Sequence, residues 1–121
     1  GVDDLVAEAD VIVLCCPLTP ETTGLISRER IGRMKPGAIL VNVSRGPVID
    51  DDALVDALRA GRIGGAALDV FVEEPLGAAK GGVFAAGPNL VLTPHIAGVT
   101  TESNTRVSWV TVENVKRVLT Q

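Results

Sequence analysis

Four short apolar runs, separated by stretches that carry helix-start signals, constrain this chain more than any other feature. Ala9 to Cys15 (ADVIVLC), Ala38 to Val43 (AILVNV), Ala66 to Val70 (AALDV) and Leu90 to Leu92 (LVL) are brief and almost continuously apolar, and the first two are rich in β-branched residues. That is the pattern of strands buried on both faces of a parallel sheet. Between them Ser27 is placed to cap a helix that stops at Lys35-Pro36-Gly37. Asp50 is placed to cap a second helix beginning at Asp51-Asp52, whose carboxylates suit the positive end of the helix dipole. That helix is expected to bury Leu54, Ala57 and Leu58, to expose Asp56 and Arg59, and to end near Gly61. From Thr100 to Leu119 neither Pro nor Gly occurs, and Val107, Val112, Val115, Val118 and Leu119 share one broad helical face. A long final helix follows. The alternation predicts an α/β fold, a parallel sheet flanked by helices with right-handed crossovers. Gly77 to Gly87 (GAAKGGVFAAG) reads as a surface loop of small residues.

Composition excludes several classes of function. An apolar content of 46% argues for a folded segment with a modest core. The net charge of -4 comes from 15 acidic and 11 basic residues scattered along the chain, so no basic patch is available to grip nucleic acid. Every apolar run is broken before the roughly 18 residues a membrane span needs. The acidic start GVDDLVAEAD is not a secretory signal, which leaves a cytoplasmic setting by default. Cys15 and Cys16 have no further cysteine or histidine at metal-ligand spacing and read as reduced, small, buried residues; no metal site is expected.

In open parallel sheets ligands gather at the carboxyl ends of the strands. Those ends carry Cys15-Cys16-Pro17, then Ser44-Arg45-Gly46, then Asp69 with Glu73-Glu74-Pro75, then Thr93-Pro94-His95, the only histidine. Singly each is ordinary. A strand-end arginine commonly forms surface ion pairs, an acidic pair in a loop is commonly solvated, and a strand-end aspartate commonly caps a backbone N–H. Together they match the needs of 2-keto acid reduction. A guanidinium fork holds the carboxylate, an imidazolium protonates the carbonyl oxygen, and a carboxylate keeps that imidazole charged and oriented. Arg45, His95 and Glu74 would fill these roles. Because Glu73 and Glu74 are neighbours in an extended segment, only one of them can face the imidazole.

The motifs CPLTPETTGLI, MKPGAILVNVSRGPVIDDDALVDAL, GGAALDVFVEEP and NLVLTPHIAG, in this order, resemble the C-terminal half of the nucleotide-binding domain of the D-isomer-specific 2-hydroxyacid dehydrogenases. The resemblance covers nearly the whole chain from about Val2. It implies that residues 1–121 are a partial, Rossmann-like NAD(P)-binding domain of a longer, cytoplasmic, homodimeric enzyme. Its substrate would be a small 2-keto or 2-hydroxy acid, and its cofactor NAD or NADP, with NAD favoured. The resemblance gives Arg45 the substrate carboxylate and keto oxygen, His95 the acid/base role, and the residue directly before the proline, Glu74, the role of imidazole partner. For the cofactor it implies Cys16 and Pro17 at the adenosine side, Thr22 in the PETT loop, a Val43 backbone group and Arg45 and His95 near the nicotinamide, Asp69 at the carboxamide, and Gly98 in the loop beneath. HIAG replaces the family's HIGG, a small departure at Ala97.

A larger departure is that no GxGxxG turn occurs in the chain. In the family this turn seats the pyrophosphate, and an acidic residue about 20 positions later reads the ribose hydroxyl. Both are expected to precede Gly1, and a separate substrate domain is expected to close the cleft. Three other readings stand beside the dehydrogenase. A formate dehydrogenase of related build pairs its histidine with Gln, against which Glu74 argues. The others are an NAD-sensing module like the co-repressors of this fold, and a catalytically silent fragment that exposes a strand edge and an apolar face.

Overall fold

A computed structural model describes residues 1–120. Its strands are β1 (Val11–Leu14), β2 (Ile39–Asn42), β3 (Gly65–Leu68) and β4 (Leu90–Leu92), hydrogen-bonded in parallel in the order β1-β2-β3-β4. The helices are α1 (Val2–Glu8), α2 (Arg28–Arg33), α3 (Asp51–Arg59), α4 (Ala78–Ala85) and α5 (Thr101–Leu119). The α/β architecture expected from the alternation is therefore the one found. Register decides where chemistry can occur: Leu14 pairs with Asn42, Asn42 with Leu68, and Leu68 with Leu92. All four strands thus end level, and the loops that follow them lie side by side.

The two expected caps form: Ser27 Oγ accepts from the Arg30 N–H at 3.4 Å and Asp50 Oδ1 from the Ala53 N–H at 2.9 Å, and α5 is capped in the same way by Thr100 Oγ1, which accepts from the Ser103 N–H at 3.0 Å. The second of the expected helices is α3, which buries Leu54, Ala57 and Leu58 and exposes Asp56 and Arg59. The core lies on one side of the sheet, where Ile12, Leu14, Leu40 and Leu68 pack with Ile31 of α2 and Leu54 and Leu58 of α3.

Three expectations need correction. Burial on both faces of the strands does not hold throughout: Val11 and Val13 of β1 and Val91 of β4 are exposed, because the described helices fill the core from the opposite face. The exposed edge and apolar face expected of a partial sheet are present. Gly77–Gly87 is not a loop, since Ala78–Ala85 forms α4 and its Phe84 is buried edge-on against Phe71, with ring centroids 5.6 Å apart. The cysteines are not buried: Cys15 is exposed and Cys16 half-buried. The chain is still extended as it leaves β1, so alternation turns Cys16 toward the core and Cys15 away from it. The long final helix is present, but none of its residues is buried, and Val107, Val112, Val115, Val118 and Leu119 are all exposed. An additional helix, α1, packs Val6 into the core.

Candidate active site

The loops beyond β2, β3 and β4 bring the candidate catalytic residues together. His95 Nδ1 lies 2.8 Å from Glu74 Oε2, and the two side chains are 47% and 36% exposed. The other Glu74 oxygen, Oε1, accepts from the Phe71 N–H at 2.9 Å, which closes the segment between them into a turn. Glu74 rather than Glu73 therefore faces the imidazole, as the position before Pro75 implied. The hydrogen bond with His95, and then that from Phe71, hold the Glu74 carboxyl below its ordinary range, and the charges of His95 and Arg45 act in the same direction.

His95 occupies the left-handed region, with φ at 55°. Such a conformation is uncommon for a residue with a side chain and persists when its surroundings fix it. Here Asp69 fixes it. Its Oδ1 accepts from the Ile96 N–H at 2.8 Å and from the Thr93 hydroxyl, and its Oδ2 accepts from the Ala97 N–H at 2.9 Å. One carboxylate thus clamps the chain on both sides of His95. Asp69 is only 4% exposed. Burial acts to raise its carboxyl, but the bonds from Thr93, Ala97 and Ile96 and the charge of His95 prevail and hold it below the ordinary value. The capping role of a strand-end aspartate is the one seen, and it occupies both oxygens.

Arg45 stands in an extended conformation just before a short 3-10 turn, Gly46–Val48. Its Nη1 donates to the Ser44 carbonyl at 2.6 Å, and among the described residues it has no carboxylate within salt-bridge distance. A guanidinium so placed is open to an anionic ligand. Gly46 sets the turn against the loop that carries Glu74: a Cβ there would lie 2.0 Å from the Phe71 carbonyl carbon.

Two cavities adjoin these residues. One, of about 540 Å³, lies between the ends of β1 and β2 and is lined by Cys15, Cys16, Pro17, Val43, Ser44 and Arg45. Cys16, Pro17 and Val43, for which the resemblance implied cofactor contacts, all line it. The other, of about 620 Å³, is walled by Phe71, Leu76, Leu92 and Pro94 and opens beside His95 and Glu74. Thr22 does not line the first cavity but bonds Pro17, which does. Its hydroxyl donates to the Pro17 carbonyl and accepts from the Thr19 N–H, each at 2.8 Å. Gly98 lies exposed beyond the clamped loop and lines neither cavity.

Two residues of the site went unrecognised in the sequence. Asn42 is buried beneath the Arg45 turn, and Thr93 donates to Asp69. An asparagine inside the otherwise apolar run AILVNV was the available signal for the first.

Convergent strand ends, a carboxylate-paired imidazole and an arginine without a carboxylate partner among the described residues define an α/β domain with polar groups gathered at the carboxyl ends of its strands. The chain belongs to the family described as "D-isomer specific 2-hydroxyacid dehydrogenase, NAD binding domain", whose model matches residues 1–97. It is 50% identical over 115 residues to (S)-sulfolactate dehydrogenase of Chromohalobacter salexigens, which covers 95% of this chain and 37% of that protein. The crystal structure of D-lactate dehydrogenase from Aquifex aeolicus, complexed with NAD and lactic acid, superposes with a TM-score of 0.86 at 38% identity, covering 98% of this chain and 40% of that one. A D-isomer specific 2-hydroxyacid dehydrogenase from Xanthobacter autotrophicus, in complex with NADPH and MES, gives a TM-score of 0.81 at 38% identity over 98% of this chain and 48% of that one. The chain spans less than half the length of each of these relatives.

Proposed function

We propose that this chain supplies the acid/base histidine, the substrate arginine and one wall of the nicotinamide crevice of an NAD(P)-dependent D-2-hydroxyacid dehydrogenase. The observation that carries the reading is the His95–Glu74 pair at 2.8 Å, held at the mouth of a parallel sheet next to the open Arg45 guanidinium. The cytoplasmic, homodimeric setting implied by the resemblance belongs to the same reading.

The crevice fits part of a nicotinamide dinucleotide. The cavity between β1 and β2 offers the Cys16-Pro17 wall and the Val43 backbone at the level of Arg45. Val43 and Arg45 would lie along the nicotinamide, with Cys16, Pro17 and the Thr22-braced loop toward the adenosine. The Asp69 contact with the carboxamide and the Gly98 contact remain part of this proposal, although the Asp69 oxygens already hold the His95 loop. The bound cofactor supplies or accepts the hydride exchanged with C2 of the substrate.

The residues of the chain do the remainder. Arg45 binds the substrate carboxylate as a planar fork and draws electron density from the keto oxygen. Because Nδ1 of His95 is committed to Glu74, Nε2 faces the cleft as the proton donor to the carbonyl oxygen. Glu74 stabilises the charged imidazole before transfer and orients it throughout. Oxidation of the hydroxy acid runs the same proton back to His95.

The test is NADH-dependent reduction of glyoxylate and hydroxypyruvate by the full-length protein. His95→Gln should lower kcat about 10²- to 10⁴-fold, the range for loss of a general acid. Wild-type turnover by that variant sinks the assignment.

A further inference from the structure

We propose that Asn42 is a positioning residue that aims Arg45 at the substrate, an inference that rests on the reading of Arg45 as the substrate-carboxylate ligand. Asn42 is the last residue of β2, inside the sheet between Leu14 and Leu68, and is 1% exposed. An amide there costs free energy unless its hydrogen-bonding capacity is met, and an apolar side chain would serve the core better. All three hydrogen bonds of its side chain among the described residues go to the Arg45 turn. Asn42 Oδ1 accepts from the Ser44 N–H at 3.0 Å and from the Ser44 hydroxyl at 2.8 Å, while Asn42 Nδ2 donates to the Arg45 carbonyl at 3.0 Å.

These contacts fix the peptide unit that enters Ser44 and the one that leaves Arg45, so they bracket the Ser44-Arg45 step of the turn. Among the described residues the guanidinium itself is held only by the Ser44 carbonyl, an acceptor on the same turn. The direction of the arginine is therefore set by the turn, and the turn by Asn42. The Asn42 backbone carbonyl also accepts from the Asp69 N–H at 3.0 Å, so the anchor of the Arg45 turn adjoins the clamp of the His95 loop. Displacement of a binding group by about 1 Å can cost on the order of 100-fold in rate, which makes this placement a determinant of turnover.

The experiment compares Asn42→Ala, Ser44→Ala, Arg45→Ala and the Asn42→Ala/Arg45→Ala double variant in the full-length protein. Readouts are kcat and KM for glyoxylate and the Kd for NADH. Asn42→Ala should lower kcat/KM for glyoxylate about tenfold or more and leave NADH affinity within about twofold. It should add nothing once Arg45 is gone, because its effect passes through that side chain. Ser44→Ala, which keeps the backbone bond to Asn42, should give a smaller loss of the same kind and decides the matter if Asn42→Ala does not fold. Wild-type kcat/KM in the folded variants, or an undiminished Asn42→Ala effect in the Arg45→Ala background, overturns the inference alone. An Arg45→Ala enzyme with wild-type kcat/KM, or a wild-type protein that reduces no 2-keto acid, overturns the underlying functional reading and the inference with it.

Discussion

Gly46 lies against Phe71 so closely that a Cβ on the glycine would stand 2.0 Å from the Phe71 carbonyl carbon and 2.2 Å from the Val72 nitrogen. The obstruction is backbone, so no side-chain rotation relieves it. This contact joins the turn carrying Arg45 to the loop carrying Glu74. Gly46→Ala should therefore destabilise the protein by about 2 kcal/mol or more, the cost of overpacking, and should separate the two loops. Gly32 in α2 is the control, with nothing within 4 Å of its hypothetical Cβ. Gly32→Ala should stabilise by about 0.5–1 kcal/mol through helix propensity. Thermal unfolding of both variants checks the pair, and equal melting temperatures would refute the contact.

The adjacent glutamates should behave oppositely. Glu74 bonds His95 and the Phe71 N–H, whereas Glu73 is exposed and makes no side-chain hydrogen bond among the described residues. In the full-length enzyme Glu74→Gln should lower kcat about tenfold or more, since the amide cannot stabilise the charged imidazole. Glu73→Gln should leave kcat within about twofold of wild type. Equal losses in steady-state kinetics would mean that loop charge matters and the pairing does not.

How much of this was legible depended on whether each residue's role is local. The β-branched runs and the capping residues Ser27 and Asp50 act within a few positions, and the elements they announce are present. Helix α4 was illegible because Gly81 and Gly82 lower propensity and no side-chain cap marks its start; burial of Phe84 against Phe71, a tertiary contact, supports it. Arg45, Glu74 and His95 could be read from strand-end position together with the family's motifs. A capping role for Asp69 was legible as one of two readings, but which amides it caps, and the role of Asn42, were not, because those partners are defined by how neighbouring loops pack.

Asp69 makes a prediction about acid. A carboxyl held below its unfolded value contributes stability that is fully present above that value and is lost as pH falls through the lower, folded one. The Ile96 and Ala97 amides should therefore stay protected from hydrogen exchange through pH 4 and lose protection only under more acidic conditions. Asp69→Asn should abolish protection of one or both at every pH, since an amide presents a single acceptor oxygen where the carboxylate presents two. Unchanged exchange at these amides in the variant would remove Asp69 as the support of the His95 backbone.

Asp51 carries the opposite sign. It begins α3 next to Asp50 and Asp52, and burial pushes its carboxyl from 3.8 up to about 6, a rise that Lys80 of α4 opposes and the neighbouring aspartates reinforce. Between these values the folded state holds a proton that the unfolded chain releases, so stability falls as pH rises across the interval and stays reduced above it. At this partly exposed position, water screening leaves a cost of about 1 kcal/mol at neutral pH, against which the helix dipole offers partial relief. Asp51→Asn removes the ionisation and keeps the shape. Its melting temperature should match wild type near pH 4 and exceed it by several degrees above pH 6, with the gap opening between. A constant gap across that range would show that the two proteins differ in packing and that the Asp51 proton carries no linkage.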